Sequence, residues 1–345
     1  MRKYLILTLF LLSLAILPLL ASGLYEDSVF PVEDQRTLTV YSPHDSQPLY
    51  AAVKEFKEIS GVSVNVVSSG TGDLLERIRQ ENKEGNPLCD VFWGGGAESV
   101  AANADLFEPF TSLYDDLIPK ASKDIHSLWV GESPAPVVII YNTILVSPEN
   151  VPSSWTDLLL PKWRGKIASA NPSKSGSAYT LLCTMLTAFG GQDGGGWDFI
   201  SKFVENLEGK ILDNSADTYR LVADGTFYIG LSQEKSAQTY IQSGAHLGIS
   251  YPREGTSAVP DAIALVKGCK NRELALQFIH FLLGQDNQNM MATLYYRRPV
   301  RADLPPPKGL PPMSSIKLVD YDLDWAAGSK QEILSTWNEI AFGHE

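Results

Sequence analysis

The buried strand predicted near the middle of the chain most constrains the fold. Residues 137–141 form a continuous run of apolar, mostly β-branched side chains, a pattern that favours a strand covered on both faces. Asn142 and Thr143 end this run, and a segment with two prolines leads to a predicted helix start at residues 153–154. A buried strand that leaves one folded unit and opens into another is typical of a crossover between domains. The same residues also fit an ordinary core strand in a single domain.

Length and charge narrow the classes of protein. A chain of 345 residues exceeds the size at which one hydrophobic core usually stops growing, so we expect two lobes. The formal net charge is -12, which argues against nucleic acid or an anionic membrane surface as a partner because no basic field is present to neutralise phosphates. A small anion in a local pocket is still allowed.

The first 23 residues read as an export signal. Arg2 and Lys3 are followed by an almost wholly apolar run at residues 4–20, and the small residues 21–23 follow directly. This order predicts cleavage near Gly23 and a periplasmic protein. An uncleaved membrane anchor is the alternative. Leu24 stands where a lipoprotein would need cysteine, and no later apolar run is long enough to predict another membrane span.

The cysteines do not form a disulfide framework. Cys89, Cys183 and Cys269 are widely separated and lie in apolar or helical contexts. An exported fold held together by disulfides would use more cysteines. We therefore expect all three to be small buried hydrophobic residues.

The chain begins with three strand-loop-helix units. Strands are predicted at residues 38–41, 62–67 and 89–93, and each is followed by a loop and an amphipathic helix. Such repeats predict a parallel sheet whose binding crevice lies at the carboxyl ends of its strands. A similar α/β pattern restarts after the crossover. A second buried strand is predicted at residues 261–266, and pairing with residues 137–141 would make a paired-strand hinge.

Loops rich in serine, glycine and threonine supply the first candidate binding residues. Glycine lets backbone N–H groups approach a ligand, and a helix N-terminus adds unpaired donors and a favourable dipole. Two such termini on opposite lobes could grip one phosphate or carboxylate. The same residue types cap helices far more often than they bind ligands. The candidates from these loops are Ser69, Gly70, Thr71, Gly95, Ser175, Gly176, Ser177, Asn214, Ser215 and Asp217.

Five segments in order carry a resemblance to a known family. They are LTVYSPH, DVFWGGG, VIIYNT leading into PSSWTDLLLPKWRGKIASANPSKSGS, YPREGTSAVPDAIALVKGCKN, and YYRRPVR. Together they resemble the periplasmic solute-binding proteins of ABC importers, in the class that contains the ferric-iron-binding proteins and, more closely, relatives that bind organic phosphates. The resemblance implies an α/β, two-lobed, type II Venus-flytrap fold in which mainly parallel sheets are flanked by helices and joined by a paired-strand hinge.

The resemblance also implies the organisation of the chain. Lobe one would comprise residues 37–138 and 256–305, and lobe two residues 139–255 and 306–345. In this family the loop after the first strand commonly contacts the ligand, which adds Ser42 and His44 to the site; a surface or structural histidine is the ordinary alternative. Glu234 would face the ligand and accept hydrogen bonds from sugar hydroxyls, although a solvated surface glutamate is the simpler interpretation.

The function predicted is capture of a small anionic solute, such as a sugar phosphate or another organic phosphate, and its delivery to an inner-membrane ABC permease. We expect a monomer that binds no nucleic acid, no cofactor and no resident metal. A ferric-iron-binding protein is the first alternative. Iron-binding members use adjacent tyrosines where this chain reads Ser232-Gln233-Glu234-Lys235, and Tyr295-Tyr296 is interpreted as packing. A phosphate-ester hydrolase is the second alternative, but the common catalytic motifs are absent.

Overall fold

The computed structural model describes residues 37–343. The predicted export signal at residues 1–23 therefore lies outside the described residues. None of the helices between residues 37 and 343 combines the length and the apolar character needed to cross a membrane.

Strands and helices alternate along most of this range. The strands are β1 Thr37–Ser42, β2 Ser63–Ser68, β3 Val91–Gly96, β4 Phe107–Glu108, β5 Trp129–Pro134, β6 Val137–Asn142, β7 Ile167–Ala170, β8 Ile211–Leu212, β9 Ile229–Gln233, β10 Leu247–Ser250 and β11 Pro260–Val266. The α-helices are α1 Ser46–Ser60, α2 Thr71–Lys83, α3 Ala97–Ala101, α4 Gly176–Ala188, α5 Gly196–Leu207, α6 Ser215–Ala223, α7 Glu234–Gln242, α8 Arg272–Leu283, α9 Gln285–Tyr295, α10 Leu323–Gly328 and α11 Lys330–Phe342.

The first lobe is built on a six-stranded sheet. β2, β1, β3, β11 and β4 lie side by side in that order, and β5 also pairs with β11. β1 pairs in parallel with β2 and β3, as the repeated strand-loop-helix pattern predicts. Side chains alternate across the sheet, so Trp93 packs with α1, α8 and α9 while Phe92 packs with α2 and α3 on the other face. The carboxyl ends of the three parallel strands therefore lie at one edge.

The second lobe is built on a five-stranded sheet with the order β10, β6, β9, β7 and β8. Val137 and Ile139 pack against a core that includes α4, α5 and α11, whereas Val138 and Ile140 pack with α6 and α7. All four side chains are fully buried, so the prediction of a strand covered on both faces is confirmed. Covering both faces requires a separate set of helices, which is why this sheet forms its own lobe.

Both sheets are mixed, although we expected mainly parallel ones. β7 pairs in parallel with β8 and β9. Each antiparallel pair among the described strands involves β6 or β11. β6 and β11 are the strands that the chain forms directly after it passes from one lobe to the other. Each of them runs antiparallel to the strands beside it.

The expected pairing of residues 261–266 with residues 137–141 is wrong. β11 pairs with β3, β4 and β5, and β6 pairs with β9 and β10. The paired crossover itself is present where the chain enters these strands, because Ala135 donates its backbone N–H to the Val259 carbonyl and Val137 donates to the Ser257 carbonyl, both at 3.3 Å. The two chain passages therefore run side by side only between the sheets, and each then joins a different sheet.

The predicted helix start at residues 153–154 is instead a 3-10 turn at Thr156–Leu159. Glu254 holds this entry to the second lobe, because its carboxylate accepts hydrogen bonds from Ser154 Oγ at 2.5 Å and from the Trp155 backbone N–H at 3.0 Å. The buried Trp155 indole N–H donates to the Gly255 carbonyl at 2.9 Å. These contacts between residues 99 and 100 positions apart join the segment that enters the second lobe to the segment that leaves it.

The three cysteines are free, as predicted. Cys89 and Cys183 are fully buried, and Cys269 is partly buried. Burial raises the pKa of all three thiols, to about 12 for Cys183 and about 11 for Cys269. The thiolate form is therefore disfavoured, and the side chains act as small packing residues.

A buried polar contact joins α3 of the first lobe to α4 of the second. The carboxylate of Glu98 is hydrogen-bonded to the Thr180 hydroxyl. Lys330 on α11 donates to Ser99 Oγ at 3.0 Å and lies near this carboxylate. Glu98 is fully buried, and its Oε2 has no hydrogen-bond partner among the described residues. Burial raises the pKa of Glu98 above 4.5, with a nearby negative charge at Asp261 adding to the shift while Thr180 and Lys330 oppose it.

Replacing Glu254 by alanine is expected to destabilise the protein. The change leaves the Trp155 N–H without its charged acceptor, and the loss of hydrogen bonds to a carboxylate costs about 1–3 kcal/mol. Urea unfolding monitored by tryptophan fluorescence would measure the loss. Glu58, an exposed glutamate on α1, provides the control, because Glu58→Ala should change stability by less than about 0.5 kcal/mol. Equal stability of the two variants would contradict the role given to Glu254.

Replacing Glu98 by glutamine is expected to change how stability depends on pH. A carboxyl whose pKa is raised by folding is protonated more readily in the folded state, so it lowers stability progressively as pH rises above its ordinary pKa. The glutamine variant is neutral at every pH. Its melting temperature should therefore rise relative to that of the wild type by about 1–3 °C between about pH 4.5 and about pH 7.5. Parallel profiles measured by scanning calorimetry would show that Glu98 titrates normally.

Candidate functional site

A cavity of about 430 Å³ lies between the two lobes. Its walls are loops at strand ends and the beginnings of helices. The first lobe contributes Pro43, His44, Asp45, Ser68, Ser69, Gly70, Thr71, Gly95, Gly96, Asp261 and Arg297. The second lobe contributes Lys174, Ser175, Gly176, Ser177, Asn214, Ser215, Ala216, Tyr219, Ser232, Gln233, Lys235 and Ser236. A cavity of this size is ample for a small organic molecule.

Five longer helices begin at this cavity. Residues at the N-termini of α1 and α2 line it from the first lobe, and those of α4, α6 and α7 line it from the second. Only two of these helices have a side-chain cap: Ser175 accepts from the Ala178 N–H on α4, and Asn214 accepts from the Asp217 N–H on α6. α1, α2 and α7 have no side-chain cap. The first N–H of α7, on Glu234, donates to the Pro136 carbonyl at 2.8 Å. The other first-turn N–H groups of these helices and the positive ends of the helix dipoles converge on one space.

Glycines allow the helix ends to approach each other. A Cβ atom on Gly176, at the start of α4, would come within 3.0 Å of the Thr71 hydroxyl oxygen on α2. Gly95 has a φ of +73°, and a Cβ there would also lie 3.0 Å from Thr71. A side chain at either position would push these segments apart. The N-termini of α2 and α4 thus face each other across the cavity at close range.

Buried charged residues form the floor of the cavity. Arg297 donates to Asp261 Oδ2 at 2.8 Å and is also paired with the fully buried Glu132. Lys235 makes a second ion pair with the same Asp261 oxygen. The His44 ring lies edge-on to Trp93, with ring centroids 4.9 Å apart, and Arg297 approaches its Nε2 at 3.4 Å. Two positive and two negative side chains therefore balance in this cluster.

The pKa shifts agree with this charge balance. Burial lowers the pKa of His44 well below 6.5, and the neighbouring Arg297 lowers it further, so the imidazole is neutral. Burial also lowers the pKa of Lys235, while Asp261 opposes that shift. Burial alone would raise the pKa of Asp261, but Lys235 and Arg297 hold it well below its usual value. The carboxylate is therefore ionised and shared by two cations.

These residues do not fit a resident metal ion. One ligand atom each from His44, Glu132 and Asp261 lies within 4.8 Å of the others, which is the kind of cluster that can hold a cation. Arg297 already contacts both carboxylates, and Lys235 contacts Asp261. A metal ion would have to displace both side chains or bear their repulsion at short range. The ion pairs therefore account for the cluster without a metal.

Most of the sequence candidates meet at the cavity. Ten of the thirteen line it: His44, Ser69, Gly70, Thr71, Gly95, Ser175, Gly176, Ser177, Asn214 and Ser215. Their contact with a ligand remains a prediction. They come together because the carboxyl ends of parallel strands and the starts of the following helices share one edge of each sheet.

Ser42, Asp217 and Glu234 do not line the cavity. Ser42 is fully buried, and its hydroxyl accepts from the His44 N–H at 3.3 Å. Asp217 pairs with Arg220 at 2.6 Å within α6. Ser42 is therefore part of the interior behind the cavity wall, and the Asp217 side chain is engaged within α6.

The expected exposure of Glu234 to the ligand is wrong. Its carboxylate forms two hydrogen bonds with Arg298, at 2.7 Å and 2.9 Å, and a third with the Tyr251 hydroxyl. Glu234 and Arg298 are almost completely buried. A buried carboxylate requires such a partner, and Arg298 lies after α9 of the first lobe. Glu234 therefore joins the two lobes.

The sequence interpretation missed the charged floor and several wall residues. The cavity residues absent from the thirteen candidates are mostly polar or charged: Pro43, Asp45, Ser68, Gly96, Lys174, Ala216, Tyr219, Ser232, Gln233, Lys235, Ser236, Asp261 and Arg297. The signal for two of them was present, because Arg297 lies in YYRRPVR and Asp261 opens a buried apolar run. Ionisable residues in such apolar surroundings need partners, and their partners are each other.

The tyrosine pair does not reach the main cavity. Tyr295 packs against the core of the first lobe, and Tyr296 ends α9 with a φ of +55°. Among the described residues, Tyr219 is the only tyrosine that lines the cavity. Its hydroxyl lies 3.3 Å from Asp45 Oδ1, and burial together with Asp45 raises its pKa far above 10.

The names of two curated relatives refer to different ligands. The chain is 27% identical over 308 residues to the iron uptake protein A1 of Synechocystis, and the match covers 84% of this chain and 83% of that protein. It is also 27% identical over 286 residues to a putative 2-aminoethylphosphonate-binding periplasmic protein of Salmonella typhimurium, with 79% and 81% covered. Sequence identity therefore does not distinguish between the two ligand names.

Solved structures share the fold. The periplasmic binding protein AfuA of Actinobacillus pleuropneumoniae, with exogenous fructose-6-phosphate bound, matches with a TM-score of 0.82 at 21% identity. The match covers 89% of this chain and 99% of that one. The ferric binding protein of Campylobacter jejuni matches with a TM-score of 0.77, also at 21% identity, over 88% and 99% of the two chains. The two-lobed periplasmic-binding-protein fold is thus confirmed.

A profile of one family matches most of the chain. It describes bacterial extracellular solute-binding proteins and matches residues 51–312. This agrees with the resemblance carried by the sequence motifs, and it identifies a binding protein, not an enzyme. The chain belongs to the family of bacterial extracellular solute-binding proteins.

Proposed function

We propose that this protein captures an organic phosphate, most simply a sugar phosphate, and delivers it to an ABC permease in the inner membrane. The coarser function, that of a periplasmic solute-binding component of an ABC importer, follows from the family. The observation that carries the finer proposal is the convergence of five helix N-termini on one cavity between the lobes.

Helix N-termini suit a phosphate because they offer several N–H donors and a positive dipole end at once. α1, α2 and α7 supply donors without a side-chain cap. Lys174 lies immediately before the cap of α4, and within residues 37–343 its ammonium group is paired with the exposed Asp213, at 2.7 Å. It can turn to a bound anion at little cost, since exposed ion pairs are weak.

The hydroxyl groups around the cavity suit the organic part of the ligand. Ser69, Thr71, Ser177, Ser215 and Ser236 all line it. Hydroxyls donate and accept hydrogen bonds, which matches the hydroxyls of a polyol. A bare inorganic anion would leave many of these groups without a partner.

Ferric iron is the weaker candidate because the cavity lacks suitable anionic ligands. A hard trivalent ion favours carboxylate and phenolate oxygens. Asp261 is engaged by Lys235 and Arg297, and Tyr219 strongly favours its neutral form. Asp45 is the remaining carboxylate among the described residues that line the cavity. The geometry therefore favours an anion over a cation.

Closure on the ligand follows from the placement of the donors. The N-termini of α1 and α2 belong to the first lobe, and those of α4, α6 and α7 belong to the second. A ligand that contacts both sets binds the closed state more tightly than an open one, and only this difference can shift the equilibrium. The permease would then receive the closed complex.

Native mass spectrometry of the mature protein from the periplasm, set against its denatured mass, should reveal a bound organic molecule that contains phosphorus. Calorimetry with glucose 6-phosphate, inorganic phosphate and ferric citrate would then rank the three ligand classes. We expect glucose 6-phosphate to bind most tightly of the three. Bound iron, or tight binding of ferric citrate with no binding of phosphates, would overturn the proposal in favour of the iron alternative.

The Thr71 hydroxyl is expected to contribute to affinity for glucose 6-phosphate. Thr71→Val keeps the shape of the side chain but removes the hydroxyl, and losing a hydrogen bond to a charged group weakens binding by roughly tenfold. Thr71→Ser keeps the hydroxyl and should bind within about threefold of the wild type. Ser243→Ala, at the exposed end of α7, is the control for an ordinary lost hydroxyl. Equal affinities of the valine and serine variants would remove Thr71 from the site.

A further inference from the structure

A second cavity of about 230 Å³ adjoins the main one. The two share Asp45, Tyr219, Lys235, Ser236 and Arg297, so they are neighbouring chambers of one cleft. The second chamber continues between the first turn of α1 in the first lobe and the exposed side of α7 in the second. Its own residues include Gln47, Thr239, Tyr240 and Tyr295.

The contact between Asp45 and Tyr219 marks the junction of the chambers. The tyrosine hydroxyl lies 3.3 Å from the carboxylate oxygen Oδ1, and both residues line both cavities. Asp45 comes from the first lobe and Tyr219 from α6 of the second. At the junction this long hydrogen bond joins the lobes beside the buried Lys235–Asp261 ion pair. A ligand hydroxyl can replace the hydrogen bond.

The walls of the second chamber combine flat apolar rings with polar groups. Tyr240 and Tyr295 present aromatic surface, and the Tyr240 ring also packs against Tyr219 at 4.8 Å. Gln47 and Asp45 supply an amide and a carboxylate. Sugar rings have an apolar face that packs on aromatic side chains and hydroxyls at the rim that pair with amides and carboxylates. The chamber therefore has the chemistry of a carbohydrate subsite.

The chamber is poorly suited to a second phosphate or to a purely aromatic group. Its two cations, Lys235 and Arg297, are already paired with Asp261, and the Asp45 carboxylate would repel another anion. A flat aromatic group would leave the polar side chains without partners. The geometry points to an uncharged sugar ring.

We propose that the second chamber binds a second sugar ring, so that the ligand of this protein is a phosphorylated disaccharide. This inference rests on the proposed function, because the phosphate itself would lie among the helix N-termini of the main cavity. The phosphorylated ring fills the main chamber, and the unphosphorylated ring extends past Asp45 and Tyr219 to Tyr240 and Tyr295.

Affinities for two probes of different length test the proposal. Trehalose 6-phosphate carries a second glucose ring that glucose 6-phosphate lacks, and calorimetry on the full mature protein would compare them. Trehalose 6-phosphate should bind at least about tenfold more tightly, a factor equivalent to about 1.4 kcal/mol. Equal or tighter binding of glucose 6-phosphate would overturn the second subsite while leaving the proposed function intact. Failure of both phosphates to bind would overturn both.

Two substitutions that fill the chamber from opposite walls make the test specific. Thr239→Phe acts from α7 and Gln47→Trp acts from the exposed first turn of α1, and both residues line the second cavity only. Each variant should lower the affinity for trehalose 6-phosphate by about tenfold or more. The affinity for glucose 6-phosphate should stay within about twofold of the wild-type value. Gln331→Trp, at an exposed glutamine in the first turn of α11, is the matched control and should change neither affinity.

The remaining outcomes separate the alternatives. If Thr239→Phe and Gln47→Trp lower the affinities for the two sugar phosphates equally, the chamber does not act as a separate subsite and the proposal is wrong. If 4-nitrophenyl phosphate binds more tightly than trehalose 6-phosphate and is the probe that Thr239→Phe weakens, the chamber takes an aromatic group and not a sugar. Circular dichroism of both variants would establish that any loss comes from a folded protein.

Discussion

The buried carboxylate of Asp261 holds the interior of the cleft together because cations from both lobes share it. Lys235 lies in the first turn of α7 in the second lobe, Arg297 follows α9 in the first, and both contact the same oxygen. Burying any of these charges alone would cost several kcal/mol. The loops that carry them therefore have one favourable arrangement, in which the charges meet. With Glu132 added, the cluster is balanced, so the floor of the cavity carries no net charge to attract a solute.

Because the floor of the cavity carries no net charge, anion recognition depends on the residues of its walls. The backbone N–H groups at the starts of α1, α2 and α7 are not capped by side chains, and Lys174 is exposed. Dipolar N–H donors bind an anion without the long-range field of a cluster of full charges. Such a site fits a chain with a net charge of -12, since its selectivity depends on short-range geometry. It also suits a carrier that must later release its ligand.

The repeated strand-loop-helix pattern was sufficient to predict where the site lies, because parallel strands bring their carboxyl ends to one edge. That rule brought Ser69 and Thr71 together with Ser175 and Ser177 across the cleft. It was not sufficient for buried charges, whose partners depend on packing between segments far apart in the chain. Glu234 shows the difference: it follows a strand end as expected, yet a cation 64 positions away takes up its carboxylate. The pairing of β11 was missed for the same reason, since hydrophobicity identifies a buried strand but not its neighbours.

The contacts between the lobes differ greatly in strength, and this difference indicates which of them a ligand can influence. Arg297 and Arg298 are adjacent, and they pair with Asp261 in the first lobe and Glu234 in the second. Separating Arg298 from Glu234 would leave two buried charges unpaired, so this contact resists opening. Asp45 and Tyr219, in contrast, share one hydrogen bond of 3.3 Å at the junction of the chambers. A bound solute that contacts both lobes there stabilises the closed state by as much as its binding free energy to that state exceeds its binding free energy to the open state.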